Sequence, residues 1–442
     1  MRMGIGMRQW LMMLTVMVIA AFEMHGRSAV VADSLTHAPL AYASIFDNAG
    51  RFQGAADAQG RLPYVSVEAY PLTVRYMGYF EKEITASGPD TIFLVENMPE
   101  LPEVVIEAKQ HRLLHILAYV REYSSLATYT DSIFMFREKM VDFMLPTHAK
   151  IKFAGWRTPR VISSRSYYRF TNSNGLDSVS NTCNQHFSWS DWVEITPESP
   201  IPHRIAKTEA VNDTIHGRYG TSEIWNRRND GITLNVDVLA DTAERRWVPN
   251  LSNFFSKNID FERFQIRYNF ADVVTNGFVA PIDLTGYSFN IESRGRGRNM
   301  FMFNRSDEPF FVTTYAELYI IDKEFITVKE AKGWNNMAEN LKANATIFEA
   351  AEAPPLQPSI QQLIARVDDV DYDKVRLSLA VDERLRGREV RKLNFGQQVL
   401  KRLRGMVGLD NVVAKRKINK HWKEFRQSRQ SHNADMLRDS VN

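Results

Sequence analysis

Residues 41–60 read AYASIFDNAGRFQGAADAQG, and residues 71–84 read PLTVRYMGYFEKEI. Short runs of β-branched and aromatic residues alternate there with turn clusters at Asp47-Asn48-Ala49-Gly50 and Asp57-Ala58-Gln59-Gly60. That punctuation predicts the strands of an antiparallel sandwich, at 41–46, 51–55, 62–68, 72–77, 78–84 and 91–96. Gly50 and Gly60 stand where the turns need positive φ, which any side chain resists. A stretch of about 75 residues thus encloses one small two-sheet core.

The order Asp33-Ser34-Leu35-Thr36, Pro39-Leu40, Ala43-Ser44-Ile45, Asp57 to Gly60 and Leu72-Thr73-Val74-Arg75-Tyr76-Met77-Gly78-Tyr79, closing on Leu101-Pro102-Glu103-Val104-Val105-Ile106, resembles a known family. It is similar to the carboxypeptidase-regulatory-like (transthyretin-like) domain that opens many exported Bacteroidetes envelope proteins. The first strand departs from that pattern: it starts only at Ala29 or Val30, where the family has a longer one with a glycine. The resemblance implies a β-sandwich over 29–108. It also implies no catalysis, since domains of this family are non-catalytic despite their name.

A chain of 442 residues is too long for one ordinary core, so two or three domains are expected. Hydrophobic residues at 44% and charged residues at 24% point to a globular chain rather than a disordered one. Its 26 Phe and 16 Tyr lean toward β-structure. Arg2 and Arg8 precede an apolar run at 10–22 and then polar residues, the layout of a secretory signal over 1–26. That run is shorter than the roughly 20 residues a membrane-spanning helix needs, so cleavage after Ala20 or near Gly26 is expected. Cys183 is the only cysteine, which leaves no intramolecular disulfide and no lipid-bearing cysteine near residue 20. The expected location is the periplasm or the outer membrane, without a lipoprotein anchor.

After the sandwich, apolar residues at 113, 114, 117 and 120 recur at helical spacing, and a linking helix is expected over 109–126. A β-rich α+β domain follows over 127–335, with strands at 130–145, 160–166, 167–172, 177–182, 186–195, 232–239, 261–270, 286–293, 299–304, 310–321 and 325–330. Aromatic alternation at 287–291, 300–303 and 315–320 suggests a three-strand meander. It resembles the curved antiparallel sheet of lipoprotein-carrier-type half-barrels. Residues 336–383 hold a helix at 337–351 and a breaker cluster, Pro354-Pro355-Leu356-Gln357-Pro358. The fold class read from the sequence is therefore mainly β: a transthyretin-like sandwich, an antiparallel β-rich domain that a half-barrel would satisfy, and a basic helical tail over 384–442.

That tail is distinctive in charge. Fifteen Lys and Arg against Glu389, Asp410 and Glu424 give residues 384–429 a net +12, which leaves −9 for the rest of a chain of net +3. Leu400, Leu403 and Val407 at helical spacing, with Lys401, Arg402 and Arg404 between them, outline a basic amphipathic helix; Lys415, Arg416 and Lys417 extend the charge. Three readings stand: contact with an anionic membrane surface, docking on an acidic envelope protein, or a solvated tail.

Few residues suggest chemistry. His421-Trp422-Lys423-Glu424 matches the H-x-x-E zinc pair, but it lies in the tail with no domain after it to complete a site, so no metal and no cofactor are expected. His111 and His115, four apart on the expected helix, are read as solvated rather than chelating. Cys183 beside Asn184 and His186 is read as a small buried hydrophobe. Arg294-Gly295-Arg296-Gly297-Arg298 is read as a hairpin turn, and nucleic acid is not an expected partner. No catalytic residue is assigned. Phe187, Trp189 and Trp192 alternate with small polar residues; a glycan stacking on them competes with plain core packing. Seven Asp-Ser or Asp-Thr pairs, at Asp33, Asp90, Asp131, Asp177, Asp213, Asp241 and Asp439, precede an apolar residue, which resembles an O-glycosylation acceptor motif. The function read is an exported, non-catalytic envelope protein that binds or scaffolds. The alternatives are a hydrolase with a site in 177–283 and a carrier of an apolar or glycan ligand on the curved sheet.

Overall fold

The computed structural model describes residues 29–86, 88–97, 113–128, 131–147, 151–172, 175–183, 187–228, 231–240, 259–271, 277–296, 309–341, 347 and 349–370. The expected signal peptide, the strand at 299–304, His111, the H-x-x-E pair and the basic tail lie outside them.

The small sandwich forms as its turn chemistry requires. Strand β1 (Val30–Asp33) pairs with the later β6 (Thr91–Leu94), and β2 (Ser44–Phe46), β3 (Phe52–Ala55), β4 (Leu72–Arg75) and β5 (Lys82–Ile84) make a second sheet in the order β3-β2-β4-β5. Asp47 Oδ1 accepts from the backbone N–H groups of Ala49 and Arg51 at 2.9 and 2.8 Å, closing the first turn with Gly50 at φ +74°. Val31, Ile45, Val74, Ile84, Ile92 and Leu94 fill the core. Two details differ from the sequence reading. The β1–β6 pair is parallel rather than antiparallel. The strand expected at 62–68 is absent except for a 3₁₀ turn at Val67–Ala69, since Pro63 offers no donor for a ladder.

The body is one ten-stranded antiparallel sheet. Its strands are β7 (Leu113–Ala127), β8 (Asp131–Pro146), β9 (Trp156–Asn172), β10 (Asp177–Ser180), β12 (Asn212–Gly217), β13 (Gly220–Arg227), β14 (Gly231–Asp237), β15 (Ile259–Ala271), β17 (Leu284–Arg296) and β18 (Pro309–Ile326). Their spatial order is β10-β9-β8-β7-β18-β17-β15-β14-β13-β12, and β10 and β12 remain as edges, so the sheet is not a closed barrel. The two-residue strands β11 (Ser199–Pro200) and β16 (Phe278–Val279) pair apart from it. Among the described residues the helices are α1 (His203–Ala206), α2 (Val328–Leu341) and α3 (Pro358–Asp368).

Residues 113–127 are a strand and not the expected linking helix. Leu114, Ile116, Ala118 and Val120 face the main core, while Leu113, His115, Tyr119 and Tyr123 are buried on the other side. A strand covered on both faces shows a continuous apolar run, which local spacing cannot tell from a buried helix. Helix α2 likewise replaces the end of the strand expected at 325–330 and begins before the helix expected at 337–351. Strands β17 and β18 pair directly, from Gly286↔Tyr319 to Arg296↔Pro309, so no third strand lies between them. Gly295 sits inside β17 rather than in a turn, where a Cβ would collide with the Phe310 ring. Strands β12 and β13 carry no clear apolar alternation and were not expected.

The two faces of the sheet differ. One joins the large apolar core, over which residues 187–205 run as a strap that inserts Phe187, Trp189, Val193, Ile195, Ile201 and Ile205. The other carries Gln265, Arg267, Asn269, Ser288, Asn290, Tyr315 and Glu317 near its middle, and the small sandwich covers it. Ser44 Oγ donates to Asn290 Oδ1 at 3.2 Å across this junction. Phe46 and Phe52 pack with Tyr123, Phe136, Tyr315 and the α3 residues Ile360 and Leu363. At the centre lies Arg75, 2% exposed. Its guanidinium meets Glu317 Oε2 at 3.4 Å and Glu81, and stands 5.0 and 5.2 Å from the ring centroids of Phe46 and Tyr123. Tyr315 donates to the other Glu317 oxygen at 2.7 Å.

Breaking this ion pair from one side leaves a buried charge uncompensated, a loss of about 3–5 kcal/mol. Arg75→Met should therefore lower stability by that amount in urea unfolding. The Arg75→Met/Glu317→Gln double variant should recover part of it.

Candidate functional site

The strands that bring the two units together also leave space between them. A pocket of about 270 Å³ opens where β1, the 76–79 turn and the 211–233 region meet; it is lined by Asp33, Leu35, Tyr76, Tyr79, Glu96, Val211, Arg227, Arg228 and Arg267, among others. Tyr76 and Tyr79 extend from the end of β4 past Gly78, whose φ of +81° turns the chain there. Alternation along β15 sends Arg267 to the same side as Gln265 and Asn269, toward the sandwich. A smaller cavity of about 70 Å³ lies beside Met77, Gly78, Asn269 and Tyr319.

The acidic groups of the pocket are occupied. Asp33 accepts from Tyr79 Oη at 2.7 Å, from the backbone N–H groups of Leu35 and Thr36 at 2.8 and 2.6 Å, and from Thr36 Oγ1 at 2.9 Å. Burial pushes its carboxyl up, yet those donors outweigh it and hold it below the usual carboxylate range. Glu96 pairs with Arg228, whose guanidinium also stands 5.4 Å from the Tyr79 ring centroid. Arg267 is different. It is 5% exposed, its Nε donates to Asn269 Oδ1 at 3.2 Å, and its guanidinium carbon lies 3.1 Å from the Tyr76 ring centroid. Nη1 and Nη2 have no hydrogen-bond partner among the described residues. Burial pulls this guanidinium down to about 10, and the nearby charge of Arg228 acts in the same direction.

Two other clusters of ionisable groups are packed rather than open. Lys139 and Glu122 are wholly buried under the strap. Lys139 Nζ donates to Asp191 Oδ1 at 2.6 Å and to Ser190 Oγ, and Ser188 donates to Glu122 at 2.7 Å. Burial draws the Lys139 ammonium below its ordinary value, against Asp191 and Glu122. A serine beside a lysine of lowered pKa is a nucleophile arrangement in principle. Here Ser190 is only 4% exposed and also donates to Glu122, so the contact pins the strap. On the other face, His115 is buried with Nδ1 3.1 Å from Glu324 Oε1 and Nε2 3.1 Å from Asp142 Oδ2. Asp142 also takes Arg160 Nε at 2.8 Å and Trp156 Nε1 at 3.1 Å.

The residues singled out from the sequence fare unevenly. Phe187 and Trp189 are buried and offer no open ring face for a sugar: Trp189 Nε1 donates to Ser293 Oγ at 3.1 Å, and its ring centroid is 5.2 Å from that of Phe261. Residues 187–195 form an irregular strap instead of the expected strand, so both the aromatic and the serine positions turn inward. Trp192 is 40% exposed and stands apart from the junction pocket. His115 is a buried ion-pair member, not a solvated residue. Cys183 is half-buried at the edge of the main core. Lys401, Arg402, Arg404, Lys415, Arg416 and Lys417 lie outside the described residues. None of the acceptor hydroxyls at Ser34, Thr91, Ser132, Ser178 and Thr214 is buried. Among the described residues no group of three His, Cys, Asp or Glu could hold a metal. No described helix is long and apolar enough to cross a membrane.

These observations define a mainly-β protein in which a small sandwich is docked on a large open antiparallel sheet. No protein-family model and no curated protein matches the chain. A solved structure titled "Lipid-protein interactions in lipovitellin" is similar over 50% of this chain and 26% of its own, with a TM-score of 0.25 and 8% identity, too low to support an argument.

The His115 cluster yields a pH dependence. Burial alone would lower the imidazole, but the bonds to Asp142 and Glu324 raise it above 6.5, so the charged form is favoured in the fold. Its stabilisation is complete below about pH 6.5 and is lost as pH rises through the raised folded value. The stability gap between wild type and His115→Asn should therefore be wider at pH 6 than at pH 9 when urea midpoints are compared. An equal gap at both would show that His115 folds uncharged.

Proposed function

We propose that this chain is an exported, non-catalytic cell-envelope protein that works by binding, with its ligand site in the pocket between the small sandwich and the ten-stranded sheet. The observation that carries this reading is the pocket itself: both units contribute its walls, two tyrosines and three arginines among them. Such junctions are where binding sites commonly form. Export rests on the N-terminal charge and apolar pattern, and the envelope setting on the resemblance of residues 29–108.

The alternatives draw less support. A hydrolase with a site in 177–283 would rest on Ser190, which the strap turns inward against Lys139 and Glu122, away from solvent. A carrier holding an apolar ligand on the sheet needs a free apolar face, and residues 187–205 already occupy it. The basic segment 384–442 adds a second contact, to an anionic membrane surface or an acidic envelope partner, where each basic residue contributes about 1 kcal/mol near an anionic surface.

Two measurements test this. Fractionation of native cells should place the mature chain in the envelope fraction, shortened by the signal segment. In sedimentation with vesicles of mixed neutral and anionic phospholipid, deleting 384–442 should weaken association by at least about tenfold at low salt. A cytoplasmic, uncleaved chain overturns the exported reading, and unchanged sedimentation removes the membrane role of the tail.

A further inference from the structure

We propose that the junction pocket takes a small ligand bearing an oxyanion, a carboxylate or a phosphate, with Nη1 and Nη2 of Arg267 as its anchor and Arg227 as a second cation. This deepens the binding reading above and rests on it.

A buried guanidinium is ordinarily matched by a carboxylate, because desolvating an unpaired charge is costly. Arg75, the other arginine buried in this junction, obeys that rule with Glu317 and Glu81. Arg267 does not. Asp33 already accepts from four donors, three on Oδ1 and Tyr79 Oη on Oδ2, and Glu96 belongs to Arg228. Asn235, its cross-strand neighbour, presents an amide whose Oδ1 also lacks a partner. An amide accepts a hydrogen bond but cannot neutralise a cation. Among the described residues Arg227 Nη1 is a further buried donor without a hydrogen-bond partner, and both arginines line the same pocket.

The geometry narrows the ligand. With Nε committed to Asn269, the guanidinium keeps its two terminal nitrogens, a fork that suits two oxygens of one planar or tetrahedral anion. Nη1 and Nη2 are shielded from solvent, so contact requires a small side-chain rearrangement at the pocket wall, driven by relief of the unpaired charge. A space of about 270 Å³ holds a head group and a few further atoms rather than a polymer. Tyr76 and Tyr79 wall it, and Leu35 and Val211, 73% and 57% exposed, stand at its edge ready to meet an apolar portion.

The test uses the full-length chain in thermal unfolding and calorimetric titration. The probes are inorganic phosphate, acetate and hexanoate, each against sodium chloride at matched ionic strength, with methyl glucoside as a neutral control. At least one oxyanion should raise Tm saturably, by roughly 2–4 °C at high occupancy. Phosphate acting alone assigns a phosphate group, and hexanoate exceeding acetate assigns an apolar carboxylate. Arg267→Met should abolish the response while leaving the ligand-free Tm unchanged or higher, since it removes an unpaired buried charge. Arg227→Gln, at a half-buried position, should weaken binding several-fold and covers the case in which the first variant fails to fold. Four results overturn the proposal: no response to any probe, an equal rise with chloride, a response that survives both substitutions, or a response to methyl glucoside alone. The last refutes the oxyanion and leaves the binding reading standing. Failure of that reading shows separately, as wild type that responds to no probe and is absent from the envelope fraction.

Discussion

Arg75 reaches from the small sandwich into a site almost sealed from solvent, where Glu317 and Glu81 neutralise it and the rings of Phe46 and Tyr123 stand over its guanidinium. Because the charge is tolerable only while those partners stay in place, the contact fixes the sandwich against β18 and makes the two units one body. The aromatic cluster around it extends the joint to α3, so the C-terminal helix of the described chain is held by the same layer. Everything else about the molecule follows from the sheet having two covered faces: the strap on the apolar one, the sandwich on the polar one.

The comparison of Arg75 with Arg267 gives the junction its functional character. Both are arginines on the covered side of the joint, and both lie against tyrosine rings. One is matched by carboxylates and the other, among the described residues, is not, so one holds the joint and the other leaves an unmet demand for negative charge beside a cavity. Two further buried pairs, Lys139 with Glu122 and His115 with Asp142, are matched locally and serve to register the strap and strands.

Much of the strand content was legible from residue patterns. The turns at Asp47 and Asp57 with Gly50 and Gly60, and the aromatic alternation of 261–270 and 286–293, carry their own local cause: side-chain caps, positive φ, and a face-to-face period of two. Residues 113–127 misled because burial on both faces erases that period. Residues 187–195 misled in the opposite sense, since a strap pressed on a sheet buries alternate positions without pairing its backbone. The junction pocket had no signal at all. Arg227, Arg267, Tyr76 and Asp33 are scattered over more than two hundred positions, and nothing local marks one buried arginine as lacking the partner that another has.

The sequence by itself determined a mainly-β chain with a small N-terminal sandwich, because strand and turn propensities act within a few residues. Only the tertiary structure decided that the sandwich covers the polar face of a ten-stranded sheet, that Phe187 and Trp189 are core, and that Arg267 meets no carboxylate among the described residues at the joint. Burial and charge compensation are properties of neighbours in space, and across the junction those neighbours, Ser44 with Asn290 and Arg75 with Glu317, lie more than two hundred positions apart in the chain.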